Sequence, residues 1–309
     1  MRVLFFGTPR FAVPTLERLL ASVHVVVGVV TQPDRPRGRG QLYSASPVKA
    51  VALRHDVPVF QPTQLKDAQW QSEIRALGAD IGVVVAYGRI LPQALLDIPR
   101  MGLINVHASL LPRWRGAAPI HRAVIAGDAV TGVTIMRVVL ALDAGPMLST
   151  VETLIDAADT SETLELRLAD AGAALLVETL DRMASGNVTE VPQDESLVTY
   201  AERLQRAESA IDWTRPAIAI DRQIRGLQPW PLAVARIADR AVALLHSAVV
   251  SDATPAPPGT IVRAAGDELH VACGAGVLAV TQVKPEGRRP MPSRAFLNGA
   301  GVRVGWVIT

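Results

Sequence analysis

Cysteine is almost missing. Cys273 is the only one in 309 residues, so no disulfide can form within the chain and a zinc site built on thiolates is nearly impossible. A reduced, cytoplasmic setting fits that count. Long apolar runs are missing too. None reaches the roughly 18 residues a membrane span requires, and "MRVLFFGTPRF" meets Gly7 and Pro9 too early for the apolar core of a signal peptide. Neither nucleotide fingerprint is present: the opening turn "FGTPRFAVP" is not G-x-G-x-x-G, and no G-x-x-x-x-G-K-[ST] loop occurs. A nicotinamide dehydrogenase and a P-loop NTPase are therefore poorly supported. His55, His121 and Asp34 are scattered, and nothing has a metal-ligand spacing, so no metal is expected.

What remains is a globular composition, 49% hydrophobic and 19% charged. The length points to about two domains. The net charge is only +2, but it is uneven. Residues 206–309 hold 12 Arg/Lys against 8 Asp/Glu, which leaves 19 against 21 in residues 1–205. A final third near +4 is either ordinary surface or a face for a polyanion.

The front of the chain alternates apolar runs with helical spacings. "RVLFFG", "HVVVGVVT", "PVFQP", "DIGVVVAYG", "MGLINVHAS" and "TGVTIMRVVLALDAG" read as strands; "RFAVPTLERLLAS", "PVKAVALRH", "QWQSEIRALGA", "PIHRAVIAGD" and the long "TSETLELRLADAGAALLVETLDRMASG" read as helices. That alternation predicts a doubly wound, mostly parallel α/β sheet with ligands at the carboxyl ends of its strands. The expected boundaries are a catalytic domain over 1–188, a polar connector over 189–207 and a small β-barrel of OB-like type over 208–309. The last is built from "AVALLHSAVV", "GTIVRAAG", "ELHVACG" and "VLAVTQVKP".

Two polar residues interrupt the strand "INVH". Asn105 and His107 lie two apart, so in a strand they share one face, while Val106 points into the core. One reading is a core pair satisfied by backbone groups. The other is an amide donor and a titratable imidazole projecting together at a strand end, ahead of a Pro/Gly-rich loop. Asp143, before Gly145-Pro146, either caps a turn or tunes that imidazole. Asn, His and Asp together suit acyl transfer to an amine: the amide donates to a developing oxyanion, the imidazole exchanges a proton near neutral pH, and the carboxylate orients it. No Ser or Cys nucleophile is needed.

The stretches "FFGTP", "TQPDRPRGRG", "SPVK", "VVVAYGRILP", "INVHASLLPRWRGAAPI", "GVTIM", "LDAG", "IDW" and "PWP" occur in order over essentially the whole chain. Together they resemble the folate-dependent formyltransferases, and most closely the branch that acts on a charged initiator tRNA. The resemblance implies a Rossmann-like fold and a formyl transfer from 10-formyltetrahydrofolate to the α-amino group of methionyl initiator tRNA, a step of translation initiation. It implies Asn105, His107 and Asp143 as the catalytic trio. For the folate site it implies Ser109, Leu110, Leu111 and Pro112 of one loop, with Tyr87, Gly88, Arg89, Ile90 and Leu91 of another. For the tRNA it implies the loop Pro33–Lys49, with Arg35, Arg37, Arg39 and Lys49, and the basic second domain, where Arg288 and Arg289 sit in the densest cluster, "KPEGRRPMPSR". A monomer is expected. Trp114, between Arg113 and Arg115, either stacks on an RNA base or fills core. Ahead of "LD" the family carries a polar, Gly-containing stretch, whereas this chain reads "IMRVVLALDAGPML". The rival readings are a formyltransferase for a small amine and a non-catalytic RNA-binding module.

Overall fold

The structure, a computed structural model, describes residues 1–37, 42–254 and 256–309; of residues 35–37, 42 and 43 only the backbone is described. The elements run in the order β1 (Arg2–Gly7), α1 (Val13–Leu20), β2 (Val25–Val30), β3 (Arg35–Arg37), β4 (Leu42–Ser44), α2 (Pro47–Arg54), β5 (Val59–Phe60), α3 (Ala68–Ala76), β6 (Ile81–Val85), α4 (Gln93–Leu96) and β7 (Leu103–His107). Then come β8 (Arg115–Gly116), α5 (Pro119–Ala126), β9 (Val130–Arg137), β10 (Met147–Leu154), α6 (Ser161–Ala184), β11 (Tyr200–Ala201) and α7 (Ala217–Gly226). The chain closes with β12 (Ala233–Ile237), β13 (Arg240–Ser251), β14 (Ile261–Ala265), β15 (Glu268–Ala272), β16 (Val277–Pro285), β17 (Met291–Pro292) and α8 (Ser293–Ala300).

The chain divides into two compact units. One comprises Met1–Pro119, Val130–Leu154 and Glu165–Ala201; the other comprises Ile120–Ala129, Ile155–Leu164 and Glu202–Thr309. In the first, seven strands form a sheet in the order β10-β9-β7-β6-β1-β2-β5. β7, β6, β1, β2 and β5 are parallel, and β9 and β10 add antiparallel strands at one edge. The continuous apolar runs explain why: Val3 to Phe6 are all at most 1% exposed, as strands covered on both faces must be. The helices are set by caps and apolar spacing. α1 buries Leu16 and Leu19 on one face, Ser46 Oγ caps α2 by accepting from Lys49 N, and Asp67 does the same for α3 at Trp70 N. The chain order reverses about β1, so the crevice at the carboxyl ends of β1, β6 and β7 is where such sheets hold ligands.

One strand is shorter than its sequence pattern predicts. β9 stops at Arg137, and "VVLALDAG" is a loop that leaves Val139, Leu140 and Leu142 exposed. The cause is the close return of the chain: Arg137 N donates to Pro146 O at 2.9 Å, and a Cβ on Gly145 would collide with the Arg137 carbonyl.

The second unit carries an antiparallel sheet in the order β12-β13-β16-β15-β14, with β17 also paired to β16. β13 runs twelve residues and shifts register three times against β16, the bulges by which a long strand bends. α7 packs on β13, and Asp221 holds Arg225 at 2.8 Å and Ser247 Oγ at 2.8 Å. No helix among the described residues is long and apolar enough to cross a membrane.

Candidate active site

β7 lies inside the first sheet, with Asn105 opposite Val84 of β6 and Met136 of β9, and His107 opposite Thr134. Ile104 and Val106 face core, at 0% and 3% exposure. Asn105 and His107 therefore share the opposite alternation. Asn105 is half-buried, and its carboxamide makes no hydrogen bond among the described residues. His107 is buried, and both ring nitrogens are addressed. Nε2 lies 2.9 Å from the Trp114 carbonyl, and Nδ1 lies 3.7 Å from Asp143 Oδ2. A carbonyl only accepts, so Nε2 carries a hydrogen in either charge state. Nδ1 is the nitrogen that faces Asp143.

Two loops bring these partners to the strand end. Asp143 sits at φ +46°, and its Oδ2 accepts from Gly116 N at 2.9 Å. Gly116 itself is at φ +119° and packs so closely on β11 that a Cβ would lie 2.8 Å from the Ala201 carbonyl. Gln193 Nε2 donates to the carbonyls of both Asp143 and Gly145 at 2.8 Å, while its Oε1 accepts from Arg115 Nε at 2.9 Å. Trp114 is held at φ +65° by donation from its N–H to Thr199 Oγ1 at 2.9 Å, and the Arg113 guanidinium lies 4.3 Å over its ring. Arg115 turns the other way. It is 3% exposed and forks onto Glu195, which makes it a brace of the loop rather than a surface cation.

Of the loop Ser109–Pro112, Ser109 is fully buried and spends its hydroxyl on the Arg113 carbonyl at 2.6 Å; Leu111 is buried, and Leu110 and Pro112 are half-buried. Thr134 Oγ1 fastens this loop, donating to Ser109 O at 2.7 Å and accepting from Leu111 N at 3.1 Å. In the loop after β6, Tyr87 and Leu91 are core residues. Tyr87 meets Phe6 edge-on at 5.7 Å, and burial pushes its phenol up from the usual range. Ala86, Gly88 and Ile90 are exposed. Arg89 donates to the carbonyls of Pro62 and Thr63, both at 3.0 Å. A cavity of about 300 Å³ opens between α4, the start of β7 and the loop after β9. Its walls include Gln93, Leu96, Leu103, Val139 and Leu140.

The structure brings together the three residues expected to be catalytic. The cations expected to meet RNA lie in both units. Arg35 and Arg37 lie in β3, which pairs with β4, and Arg39 lies outside the described residues. Lys49 is held by Asp34 and Gln61. Arg288 and Arg289 are exposed in the turn between β16 and β17, in the second unit. Sequence reasoning missed Gln193 and Thr199, which lie in the stretch read as a connector, and Thr134. The one available signal was a Thr inside the apolar strand "GVTIM".

The sequence profile of the Formyl transferase family matches residues 1–180, and that of the Formyl transferase C-terminal domain matches residues 203–301. The chain is 48% identical over 308 residues to a methionyl-tRNA formyltransferase of Methylococcus capsulatus, covering 99% of this chain and 100% of that one. It is 49% identical to one of Pseudomonas fluorescens, covering 94% and 91%. Among solved structures, the sugar 3N-formyl transferase WlaRD matches with a TM-score of 0.69 at 14% identity over 94% of this chain and 99% of its own. HypX from Aquifex aeolicus in complex with tetrahydrofolic acid matches with a TM-score of 0.64 at 14% identity over 98% of this chain. This chain spans about half of HypX (48%). At such identities the structural likeness speaks for the fold. Matched nearly end to end at close to half its residues, the chain belongs to the methionyl-tRNA formyltransferase family.

Proposed function

We propose that this enzyme moves the formyl group of 10-formyltetrahydrofolate to the α-amino group of methionyl initiator tRNA, as a cytoplasmic monomer. The observation that carries the chemistry is the trio at the end of β7. Asn105 offers an unspent carboxamide, and His107 presents Nδ1 with its other nitrogen fixed by Trp114 O. Asp143 stands 3.7 Å from that nitrogen.

The donor supplies an activated formyl carbon, and the acceptor supplies a neutral amine. As the amine adds, negative charge gathers on the formyl oxygen. The Asn105 carboxamide and a protonated Nδ1 of His107 are the donors placed to stabilise it, a contribution on the order of 10²-fold or more in rate for one such donor. Asp143 faces that nitrogen with a carboxylate whose Oδ2 is pinned by Gly116 N. Its remaining oxygen is available to the amine's departing proton; as the tetrahedral intermediate collapses, the bond from the formyl carbon to N10 of the folate breaks and that nitrogen takes up a proton, releasing tetrahydrofolate. The exposed residues Ala86, Gly88 and Ile90 and the cavity walled by Leu96, Leu103, Val139 and Leu140 suit a flat, polar-edged ring. With the loop Ser109–Pro112, they are assigned to the folate donor. The loop Pro33–Lys49, with Arg35, Arg37 and Arg39, and the turn bearing Arg288 and Arg289 are assigned to the tRNA, with an affinity that falls as salt rises.

The test offers labelled formyl-folate with charged initiator tRNA, charged elongator methionyl-tRNA or a sugar amine. Label is expected on the initiator tRNA. Label on the sugar amine and none on tRNA would overturn the assignment.

A further inference from the structure

Three side chains close a ring at the base of the β3–β4 hairpin. Lys49, in the first turn of α2, donates from Nζ to Asp34 Oδ2 at 2.5 Å and to Gln61 Oε1 at 2.7 Å. Gln61 Nε2 donates in turn to Asp34 Oδ1 at 2.8 Å and to the Gln32 carbonyl at 2.9 Å. Asp34 immediately precedes β3, Lys49 follows β4 by five residues, and Gln61 follows the edge strand β5. The ring therefore ties both feet of the hairpin to the sheet. Both carboxylate oxygens of Asp34 are used, and so are both ends of the Gln61 amide. The Lys49 and Asp34 side chains are only 20% and 27% exposed. To reach a phosphate, the Lys49 ammonium would have to leave two hydrogen bonds behind.

The ring continues toward the donor-side loop. Gln32, whose carbonyl takes the Gln61 amide, donates from its own Nε2 to the Tyr87 carbonyl at 2.9 Å. Thr8 Oγ1 accepts from Gln32 N at 3.3 Å and donates to the same Tyr87 carbonyl at 3.4 Å. Beneath them Ser46, the cap of α2, shares a buried hydroxyl bond of 2.8 Å with Thr31. One hydrogen-bonded run thus crosses the carboxyl ends of β1, β2 and β6, from the feet of the hairpin to the loop after β6.

We propose that Lys49, with Asp34 and Gln61, is a positioning residue that holds the arginine-bearing hairpin in register with the donor-side loop and acts on the acceptor tRNA only through that hairpin. The inference rests on the formyl-transfer reading above. It departs from the simpler assignment of Lys49 as a phosphate contact, and the two differ in sign at Asp34. If Lys49 met phosphate directly, removing Asp34 would free a cation and remove a repelling charge, so tRNA would bind tighter. If the ring is a clamp, removing Asp34 loosens the hairpin and tRNA binds worse. Hydrogen bonds first from Lys49 and then from Gln61 hold the Asp34 carboxyl below the usual carboxylate range, so Asp34 is ionised throughout any neutral assay.

The experiment measures formylation kinetics and the salt dependence of tRNA binding for the full chain, Asp34→Asn, Lys49→Met and the reversed pair D34K/K49D. Asp34→Asn and Lys49→Met are each expected to raise KM for the tRNA about tenfold, on the scale of coupling between two parts of a site. The KM for the folate donor should stay within about twofold, and the salt slope of tRNA binding should be unchanged. The reversed pair should recover most of the loss. Tighter tRNA binding by Asp34→Asn, or a salt slope lowered by about one in Lys49→Met, would overturn the clamp. So would a reversed pair as poor as the single variants. If the unaltered chain transfers no formyl group to tRNA, the formyl-transfer reading fails on its own, and the binding measurements still decide the clamp.

Discussion

Gln193→Leu is the substitution whose consequences the structure fixes most fully. Gln193 is 9% exposed and joins three groups: the carbonyls of Asp143 and Gly145, and Arg115 Nε. Leucine fills nearly the same volume and satisfies none of them. A buried polar group left without a partner costs about 1–3 kcal/mol. The Asp143 carbonyl belongs to a half-exposed residue that water can reach, so the loss is set mainly by Gly145 O and the Arg115 guanidinium, about 3 kcal/mol together. For a unit of this size that lowers the thermal midpoint by roughly 6–12 °C. The chemistry suffers separately. The Asp143 carboxylate keeps its hydrogen bond from Gly116 N, but its backbone loses the anchor that holds it at φ +46°. A displacement of about 1 Å in a catalytic group costs about 10²-fold. The assays are a thermal melt and kcat/KM for formylation, with tRNA affinity measured alongside and expected to hold. A midpoint within about 2 °C of the original together with unaltered kcat/KM would refute the reasoning.

The other expectations concern single groups. Thr134→Val keeps the shape of a fully buried side chain but strands Ser109 O and Leu111 N; it should cost about 1–3 kcal/mol per group by denaturant midpoint and raise KM for the folate donor, and an unchanged donor KM would contradict the placing of that loop. Cys273 is fully buried and its thiol is pushed up to about 11 by burial, so a thiol reagent at mildly alkaline pH should label it only after unfolding; rapid labelling of the native chain would be inconsistent with the packing of β15. Burial, the largest cause, lowers His121 below its ordinary value of 6.5, and His24 shifts the same way. The folded state keeps these rings neutral where the unfolded chain takes protons, so stability should fall as pH drops through that ordinary value. A thermal midpoint that rose on acidification through the same window would show the sign to be wrong.

Much of this was legible in the sequence. Continuous apolar runs placed the strands of the parallel sheet, and the i, i+2 spacing of Asn105 and His107 placed both on one face of β7. Asp143 was legible as a turn acid, but its pairing with His107 was not, because the two are 36 positions apart and meet through a loop that the apolar stretch "VVLAL" made look like strand. Periodicity could not see that β9 ends where Gly145 lets the chain fold back on Arg137. Gln193, Thr199 and Glu195 were hidden for a different reason. They act by single hydrogen bonds from irregular chain with no apolar rhythm, and only the pairing of β11 with β8 brings them in. Charge counting could not see the partners of two cations: Arg115 and Lys49 are each ion-paired within the chain.

The central claim is that the end of β7 performs the transfer while other surfaces hold the tRNA. Its most direct test is a single-turnover formylation of charged initiator tRNA by the unaltered chain and by His107→Ala, with equilibrium binding of the same tRNA to both. The account predicts a rate loss of about 10²-fold or more at an essentially unchanged tRNA affinity. A His107→Ala variant that formylates at the original rate would contradict it.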